Sequence, residues 1–260
     1  MKFADKAVVV TGAASGIGAA CAAYFKAAGA HVIGVDRNAV PGSGVDQFVQ
    51  ADLSDPASIA AAAARIERAD ALCNIAGLPP TRGAVPVLQV NFTGLRLFTE
   101  ALLPRLNNGA AIVNLASLAG FGWHQDAAQA LALLEVRQPE DVPAFCASHG
   151  VDDARAYFLS KEALVVWTLQ CRWRWRERGI RMNAVSPGPV ETPIHQDFLK
   201  TLGERAEEDM RLMERAGRPA DIAPLVAFLC SDESAWIRGA NIPCDGGMEA
   251  HVLSGIHRLG

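Results

Sequence analysis

The sequence predicts an α/β fold of the Rossmann type, a doubly wound parallel sheet of about seven strands with helices on both faces. Two observations support this prediction. Short β-branched runs alternate with helical stretches, and a glycine-rich turn joins the first run to the first helix. The chain has 260 residues, of which 50% are apolar, and this is enough for one large core. Since no linker or change in composition interrupts it, we expect a single domain over residues 1–260.

The first elements along the chain form a recognisable unit. Ala7–Thr11 is a β-branched run typical of a buried parallel strand, and it leads into Gly12–Gly18, which has the spacing G-x-x-x-G-x-G. Apolar residues then recur at helical intervals as far as Gly29, which ends the helix. The next strand, His31–Asp36, ends in an acid. A strand, a glycine turn, a helix and an acid-ending strand are the parts of a dinucleotide-binding unit.

The glycine turn and the end of the second strand are the candidate cofactor site. Glycines keep side chains out of the turn, so that a pyrophosphate can approach the N-terminus of the helix. Asp36 is placed to bind the adenosine ribose hydroxyls, and its carboxylate would repel the extra phosphate of NADP. Arg37 could accept that phosphate, so we predict NAD, with NADP as the alternative. A glycine turn without a ligand is the other explanation. The predicted contacts in the turn are Gly12, Ser15, Gly16, Ile17 and Gly18.

The alternation of strands and helices continues to the end of the chain. Ser54–Pro56 is a typical helix start, with a capping residue and an early proline. In such sheets ligands bind at the carboxyl ends of the strands, which places Ser117 at the candidate site. The predicted strands are Phe48–Leu53, Ala71–Gly77 with its turn, Ala111–Ser117, Arg181–Val185 and Ala240–Cys244, and the predicted helices include Pro56–Arg68 and Val87–Leu106.

Tyr157 and Lys161 are the candidate chemical groups. Their i, i+4 spacing places both side chains on one face of a helix. A phenol has a pKa of about 10, and an ammonium at about 4 Å would lower it by about 3 units at an effective dielectric constant of about 20. We therefore expect Lys161 to make Tyr157 a proton-transfer residue. A surface lysine beside a half-buried tyrosine is the alternative.

The composition argues against several other classes of function. A net charge of −4 without a basic stripe disfavours nucleic acid as a partner, and we interpret the alternating Arg and Trp of Arg172–Arg176 as a solvated or subunit-contact face of a helix. No apolar run is long enough to span a membrane. Six cysteines without C-x-x-C pairs indicate reduced thiols in a cytoplasmic protein. His124, His149 and His195 lack metal-ligand spacing, so we expect no metal.

The order of these motifs resembles the short-chain dehydrogenase/reductase family from Lys6 to Gly247. The motifs are jointly specific although each is weak alone. The resemblance implies an NAD(H)-dependent oxidoreductase that interconverts an alcohol and its aldehyde or ketone, with a catalytic tetrad of Asn91, Ser117, Tyr157 and Lys161. The further cofactor contacts expected from the motifs are Asp36, Arg37, Asp52, Leu53, Asn74, Ala76, Gly77, Tyr157, Lys161, Pro187, Gly188, Val190 and Thr192.

The resemblance also implies a role for each member of the tetrad. Tyr157, as a phenolate, would take the proton of the substrate hydroxyl, and Ser117 would hydrogen-bond the substrate oxygen. Lys161 would lower the pKa of Tyr157 and bind the nicotinamide ribose. Asn91 would hold a water that links Lys161 to solvent.

Two small departures from the family pattern lie between the fourth strand and the next helix. Ile75 replaces an asparagine of the family's Asn-Asn-Ala-Gly motif, and we expect this to cost little. The connection from Gly77 to Asn91 is shorter than usual, so we expect one small helix to be absent.

The largest departure is an insertion at residues 121–153, between the catalytic serine and tyrosine. It contains a helical apolar pattern over Ala127–Val136 and a second segment over Pro139–Ser148. The insertion either caps the substrate pocket or rearranges the helices through which the family usually forms tetramers. We expect an effect on assembly and a homodimer, with a homotetramer as the alternative.

The insertion, together with Val32–Asn38, Lys161–Trp167 and Trp236–Pro243, most resembles a bacterial subgroup of coniferyl-alcohol dehydrogenases and 3α-hydroxysteroid dehydrogenases/carbonyl reductases. We therefore expect a bulky aromatic or alicyclic alcohol of the coniferyl type, with a 3α-hydroxysteroid as the alternative. A dinucleotide-binding sensor without turnover is the alternative of another class. Ile194–Arg215 is a candidate lid. The candidate apolar wall comprises Phe121, Trp123, Phe145, Phe158, Val190, Ile194, Met210 and Met213.

Overall fold

A seven-stranded parallel sheet forms the centre of the molecule. The computed structural model describes residues 3–39, 44–197 and 211–259. The strand order is β3-β2-β1-β4-β5-β6-β7. Strands β1 to β3 are added towards one edge and β4 to β7 towards the other, so the order of addition reverses between β1 and β4, as in a doubly wound sheet. The strands are β1 Ala7–Thr11, β2 His31–Asp36, β3 Gln47–Gln50, β4 Ala69–Asn74, β5 Leu106–Leu115, β6 Arg181–Pro187 and β7 Asn241–Cys244.

Helices cover both faces of this sheet. Side chains alternate along each strand, so that Val9 and Leu72 enter one hydrophobic core while Val8 and Cys73 enter the other. The described α-helices are α1 Gly16–Ala27, α2 Pro56–Ala64, α3 Ala84–Leu88, α4 Leu95–Leu102, α5 Ala127–Glu135, α6 Val142–His149, α7 Asp153–Gln170, α8 Pro219–Cys230 and α9 Met248–His257. Helices α1 and α8 pack on one face, and α2 to α7 supply the core of the other. The predicted fold class is confirmed.

The predicted helix Val87–Leu106 differs most from its prediction. The helix begins at Ala84, passes through a π-helical turn at Gln89–Gly94 and ends at Leu102, and Leu106 already belongs to β5. The wider turn brings Gly94 against β3's following loop, where a Cβ would lie 1.6 Å from the carbonyl oxygen of Leu53. π-Turns of this kind occur mostly at functional sites, and this one carries Asn91.

Residues 121–153 form two further helices that pack into the core. Helix α5 and helix α6 bury Leu133, Leu134 and Phe145 against the face of the sheet that α7 covers. Arg96, which is 2% exposed, donates hydrogen bonds to the carbonyls of Leu134 and Val136 at the C-terminal end of α5. A buried cation at a helix C-terminus is favourable because the carbonyl ends of the helix carry partial negative charge.

The Arg/Trp segment lies beyond the end of a helix rather than on its distal half. Helix α7 ends at Gln170, and Cys171–Trp173 is a 3-10 turn. The Arg172 guanidinium stacks 4.6 Å from the ring centroid of Trp173, whose side chain is 62% exposed. The segment is therefore a solvated surface in the single chain.

Candidate active site

A cavity of about 460 Å³ opens at the carboxyl ends of the strands. It lies where the strand order reverses, which is the ligand-binding crevice of doubly wound sheets. Of the predicted catalytic and cofactor-binding residues, all but Asn74 and Asn91 line it. The residues that it brings together are Gly12, Ser15, Gly16, Ile17, Gly18, Asp36, Arg37, Asp52, Leu53, Ala76, Gly77, Ser117, Tyr157, Lys161, Pro187, Gly188, Val190 and Thr192.

The glycine turn is packed too closely for side chains. Gly12 has a φ of +72°, and a Cβ there would meet the backbone nitrogen of Ala76 at 2.9 Å. A Cβ on Gly18 would lie 2.0 Å from the carbonyl oxygen of Gly12. Ser15 precedes α1, but its side chain makes no hydrogen bond to the first N–H groups of the helix. These N–H groups lie at the cavity and are not capped by Ser15. This turn fits the pyrophosphate of a dinucleotide.

Two carboxylates line the cavity beyond the glycine turn. Asp36 accepts hydrogen bonds from the backbone N–H groups of Ala14 at 3.0 Å and Asn38 at 2.8 Å, which fix its orientation. Arg37, beside it, is exposed on the cavity rim. Asp52 accepts hydrogen bonds from the backbone and the hydroxyl of Ser54. Burial acts to raise the pKa of Asp52, but these hydrogen bonds outweigh it and hold that pKa below its ordinary value.

Asn74 supports the sheet from within instead of contacting the cavity. Its amide donates to the side-chain oxygens of Thr99 and Asn114, both at 2.9 Å, and Asn114 in turn donates to Thr168 at 2.9 Å. This buried polar chain ties β4 and β5 to α4 and α7. Asn74 was predicted to contact the cofactor, but its side chain points into the layer of helices and does not line the cavity. Its role is to support the sheet.

Thr11 is a supporting residue that the sequence analysis did not single out. Its hydroxyl oxygen accepts hydrogen bonds from the backbone N–H groups of Ile75 at 2.9 Å and Ala76 at 3.1 Å. It thereby joins the end of β1 to the turn after β4 and sets the cavity floor. Only the spatial pairing of β1 with β4 reveals this role.

Asn91 lies directly behind the cavity wall. Its side chain accepts a hydrogen bond from the backbone N–H of Leu78 at 2.6 Å and donates to the carbonyl of Leu78 at 3.0 Å. A Cβ on Gly77 would be 3.4 Å from the Asn91 oxygen and 3.9 Å from the Lys161 ammonium nitrogen. Asn91 therefore anchors the loop after Gly77 next to Lys161.

Ser117, Tyr157 and Lys161 meet at the end of β5. Tyr157 is 8% exposed and is hydrogen-bonded to the side chain of Ser117. Ser117 precedes a 3-10 turn and accepts the N–H of Ala119 at 3.1 Å. The ammonium of Lys161 donates to the carbonyl of Leu115 at 2.8 Å and lies 5.7 Å from the ring centroid of Tyr157.

Burial controls the ionisation of this group. It raises the pKa of Tyr157 to about 12, and the hydrogen bond from Ser117 acts weakly in the opposite direction. Burial likewise lowers the pKa of Lys161 to about 8. The expected lowering of the Tyr157 pKa by Lys161 is therefore wrong for this structure. Its ammonium is directed at the Leu115 carbonyl, and the low dielectric environment disfavours both charges.

The part of the cavity beyond Tyr157 is mainly apolar. Of the predicted wall residues, Phe158, Val190 and Ile194 line it. Phe121, Trp123 and Phe145 do not, and Phe145 instead stacks on His149 with ring centroids 4.3 Å apart. Met213 lies against Gly246 outside the cavity lining, and Met210 lies outside the described residues. Only the ends of the candidate lid, residues 194–197 and 211–215, are described.

One loop of this wall was not predicted from the sequence. Leu78, Pro79, Pro80 and Arg82 line the cavity, and Pro80–Arg82 is a 3-10 turn. The signal available in the sequence was the proline-rich connection directly after a predicted strand end. Leu118, Ala119 and His195 complete the described wall on the other sides.

Sequence comparison assigns the chain to a family. The pattern described as "short chain dehydrogenase" matches residues 6–128, and that described as "Enoyl-(Acyl carrier protein) reductase" matches residues 142–249. The coniferyl-alcohol dehydrogenase of Pseudomonas sp. (strain HR199 / DSM 7063) is 41% identical over 95% of this chain and 98% of that protein. The chain belongs to the short-chain dehydrogenase/reductase family. It is an oxidoreductase that acts on CH–OH groups.

Other relatives support the predicted subgroup. The 3-alpha-hydroxysteroid dehydrogenase/carbonyl reductase of Comamonas testosteroni is 33% identical over 94% of this chain and 96% of its own length. The solved structure of the 3-alpha-hydroxysteroid dehydrogenase from Pseudomonas sp. B-0831, complexed with NADH, superposes with a TM-score of 0.81. That structure is 29% identical and covers 95% of this chain and 98% of its own. Short-chain dehydrogenases bind a nicotinamide dinucleotide, and the cavity described above has the residues to hold one.

The described residues offer neither a metal-binding cluster nor a membrane-spanning helix. Within residues 3–39, 44–197 and 211–259, the histidines, cysteines and acids form no group of three that could hold a metal ion. In the same ranges, every helix is too short or too polar to cross a membrane.

Proposed function

We propose that this short-chain dehydrogenase interconverts an aromatic primary alcohol of the coniferyl type and its aldehyde, with NAD(H). The observation that supports it is the hydrogen-bonded pair of buried Tyr157 and half-buried Ser117 at the end of β5, beside an apolar wall that includes Phe158, Val190 and Ile194. A planar aromatic substrate suits such a wall because burial of its ring is favourable. The 41% identity with a coniferyl-alcohol dehydrogenase supports the same substrate class.

In this proposal the chain's own residues bind the substrate oxygen and move one proton. Ser117 hydrogen-bonds the substrate oxygen, and Tyr157 exchanges a proton with it: the phenol donates during reduction and the phenolate accepts during oxidation. A bound nicotinamide supplies the hydride chemistry. Lys161 lies beside both the Tyr157 ring and Gly77, and it would bind the nicotinamide ribose. Asn91 holds the loop after Gly77 in place.

The preference for NAD over NADP rests on Asp36. Its carboxylate is fixed by two backbone N–H groups at the end of β2, where a 2′-phosphate would meet its negative charge. Arg37 is exposed beside it and is the residue through which NADP would be accepted. Comparison of kcat/KM for NAD and NADP tests this preference.

The deciding experiment is absorbance at the reduced-nicotinamide band with purified protein. Coniferyl alcohol, a 3α-hydroxysteroid and simple alcohols are compared with NAD and with NADP. Rapid NAD reduction by coniferyl alcohol would support the proposal, and turnover of the steroid alone would favour the second candidate. That second candidate, a 3α-hydroxysteroid dehydrogenase/carbonyl reductase, is supported by the TM-score of 0.81. Substantial turnover by Tyr157→Phe with intact cofactor binding would contradict the assigned role of the phenol.

We also propose that the protein assembles as a homodimer. Helix α7, into which residues 121–153 lead, is buried within the single chain from Tyr157 to Thr168 except at Phe158, and it packs against α3 and α5 among others. A tetramer measured by light scattering would contradict this. We place the protein in the cytoplasm, since its six cysteines are all free and five of them are buried.

A further inference from the structure

Arg82 is a charged residue of the cavity wall with no role in the chemistry described so far. It ends the 3-10 turn Pro80–Arg82 and lines the cavity, as Leu78 and Phe158 do. This turn packs against α7, the helix that carries Tyr157. Arg82 therefore lines the same cavity as Tyr157, in a turn that packs against the helix carrying Tyr157.

The backbone of this turn is held on several sides. The hydroxyl of Thr81 donates a hydrogen bond to the carboxylate of Asp197 at 3.1 Å, across the mouth of the cavity. The carboxylate of Asp153, the first residue of α7, accepts the backbone N–H of Ala84 at 2.6 Å. Pro79 before the turn, Pro80 as its first residue and Gly83 after it, with a φ of +86°, restrict the chain further. The base of the Arg82 side chain is thus fixed relative to Tyr157.

The guanidinium has no acidic partner among the described residues. The cations of the ion pairs among the described residues are Lys26, Arg137, Arg155 and Arg215, and the carboxylates in the described cavity wall are Asp36 and Asp52 at the dinucleotide end. At the substrate end the described wall is otherwise apolar apart from the catalytic groups and His195. A cation in such a place is available to a ligand, and its five N–H donors suit oxygen acceptors.

We propose that Arg82 is a specificity-determining residue that hydrogen-bonds the ring oxygens of a 4-hydroxy-3-methoxyphenyl substrate. This inference rests on the proposed function, because the carbinol of such an alcohol must lie at Tyr157 and its ring oxygens lie at the opposite end. The apolar wall with Phe158 receives the ring, and Arg82 receives the phenol and methoxy oxygens. The guanidinium also favours the ionised phenol, since a nearby positive charge stabilises a phenolate.

The kinetic test compares coniferyl alcohol with cinnamyl alcohol, which lacks both ring oxygens. Arg82→Gln should lower the ratio of kcat/KM for coniferyl over cinnamyl alcohol about tenfold or more, the range of a lost charge-assisted hydrogen bond. The loss should appear mainly in the KM of coniferyl alcohol. Arg82→Lys, which keeps the charge and loses the planar donor set, should recover part of the ratio. Arg68→Gln, at an exposed arginine outside the cavity lining, is the matched control.

A spectroscopic test separates this inference from the proposed function. Coniferyl aldehyde is bound to the protein with NAD, and the pKa of its phenol is followed by absorbance in wild type and Arg82→Gln. A lower phenol pKa in the wild-type complex would support the inference even if alcohol turnover were absent. An unchanged substrate ratio, equal phenol pKa values, absence of aldehyde binding, or a raised KM for NAD with both substrates would overturn it. Failure of the wild type to oxidise either alcohol would instead refute the proposed function.

Discussion

Replacement of Lys161 by methionine should stabilise the protein at neutral pH while it removes activity. Lys161 is 5% exposed, and burial lowers the pKa of its ammonium from 10.5 to about 8. A depressed lysine pKa means that the unfolded chain binds the proton more tightly than the folded one. Folding therefore carries a cost below pH 8, and this cost is relieved as the pH rises from about 8 to 10.5.

The magnitude follows from these two pKa values. Their difference corresponds to about 3 kcal/mol of folding free energy at pH 7. Methionine has a similar length and no charge, but it leaves the Leu115 carbonyl without the donor that lies at 2.8 Å in the wild type. Loss of that hydrogen bond costs about 1 kcal/mol. We expect Lys161→Met to be more stable than wild type by about 2 kcal/mol at pH 7, and the advantage to be close to zero at pH 10.

Urea unfolding at pH 7 and pH 10, followed by tryptophan fluorescence at equal protein concentrations without nucleotide, measures both differences. Lys26→Met is the matched control, because Lys26 is a surface residue whose ammonium pairs with Asp46 at 2.8 Å. Its loss should cost less than about 1 kcal/mol. A stability difference between wild type and Lys161→Met that stays constant from pH 7 to pH 10 would refute the reasoning. A less stable variant at pH 7 would do so as well.

Three further predictions concern the chemistry and the packing of the site. Because burial holds the pKa of Tyr157 near 12, kcat/KM for alcohol oxidation should still be rising at pH 10. Aldehyde reduction uses the protonated phenol and should not need the higher pH. A steady-state profile for oxidation that reaches its plateau below pH 8 would contradict this. Gly94→Ala should destabilise the fold by more than about 3 kcal/mol in urea unfolding, because its Cβ would lie 1.6 Å from the Leu53 carbonyl oxygen. Gly255→Ala, whose Cβ would have no atom within 4 Å, is the control and should be neutral or stabilising. Asp36→Asn should narrow the ratio of kcat/KM for NAD over NADP about tenfold, and an unchanged ratio would show that another residue selects the cofactor.

The sheet, the glycine turn and most of the cavity lining could be predicted because their signals are local. Strand runs such as Ala7–Thr11 are short, continuous apolar stretches that are visible in the sequence. At Gly12 and Gly18 other backbone atoms come too close for any Cβ, so that both positions require glycine. The supporting contacts could not be predicted in this way. Thr11 and Asn74 act through partners on other elements, and nothing in the spacing of the residues indicates which direction their side chains take.

The direction of the Tyr157 pKa shift could not be predicted from the sequence either. The i, i+4 spacing correctly places the phenol and the ammonium on one side of α7, but it says nothing of how deeply the helix is buried. Burial lowers the effective dielectric constant below the value of about 20 assumed for the exposed pair. The cost of desolvating the phenolate and the ammonium then exceeds their mutual attraction. The carbonyl of Leu115, brought there by β5, then takes the ammonium's hydrogen bond.

The same burial gives residues 121–153 a physical role in the site. Helix α5, together with α3 and the 3-10 segment Leu118–His124, packs against α7. Among residues 156–168 only Phe158 is exposed, and that side chain lines the cavity. Arg155 joins the two parts: its guanidinium donates to Gln129 of α5 at 2.8 Å and to Glu162 of α7 at 2.8 Å. Glu162 directly follows Lys161, so the segment braces the turn of α7 that presents the ammonium. A segment that only enlarged a subunit contact would not need the hydrogen bond from Arg155 to Gln129 in the same network as Glu162. We therefore expect changes at Arg155 to disturb the site even where assembly is unchanged.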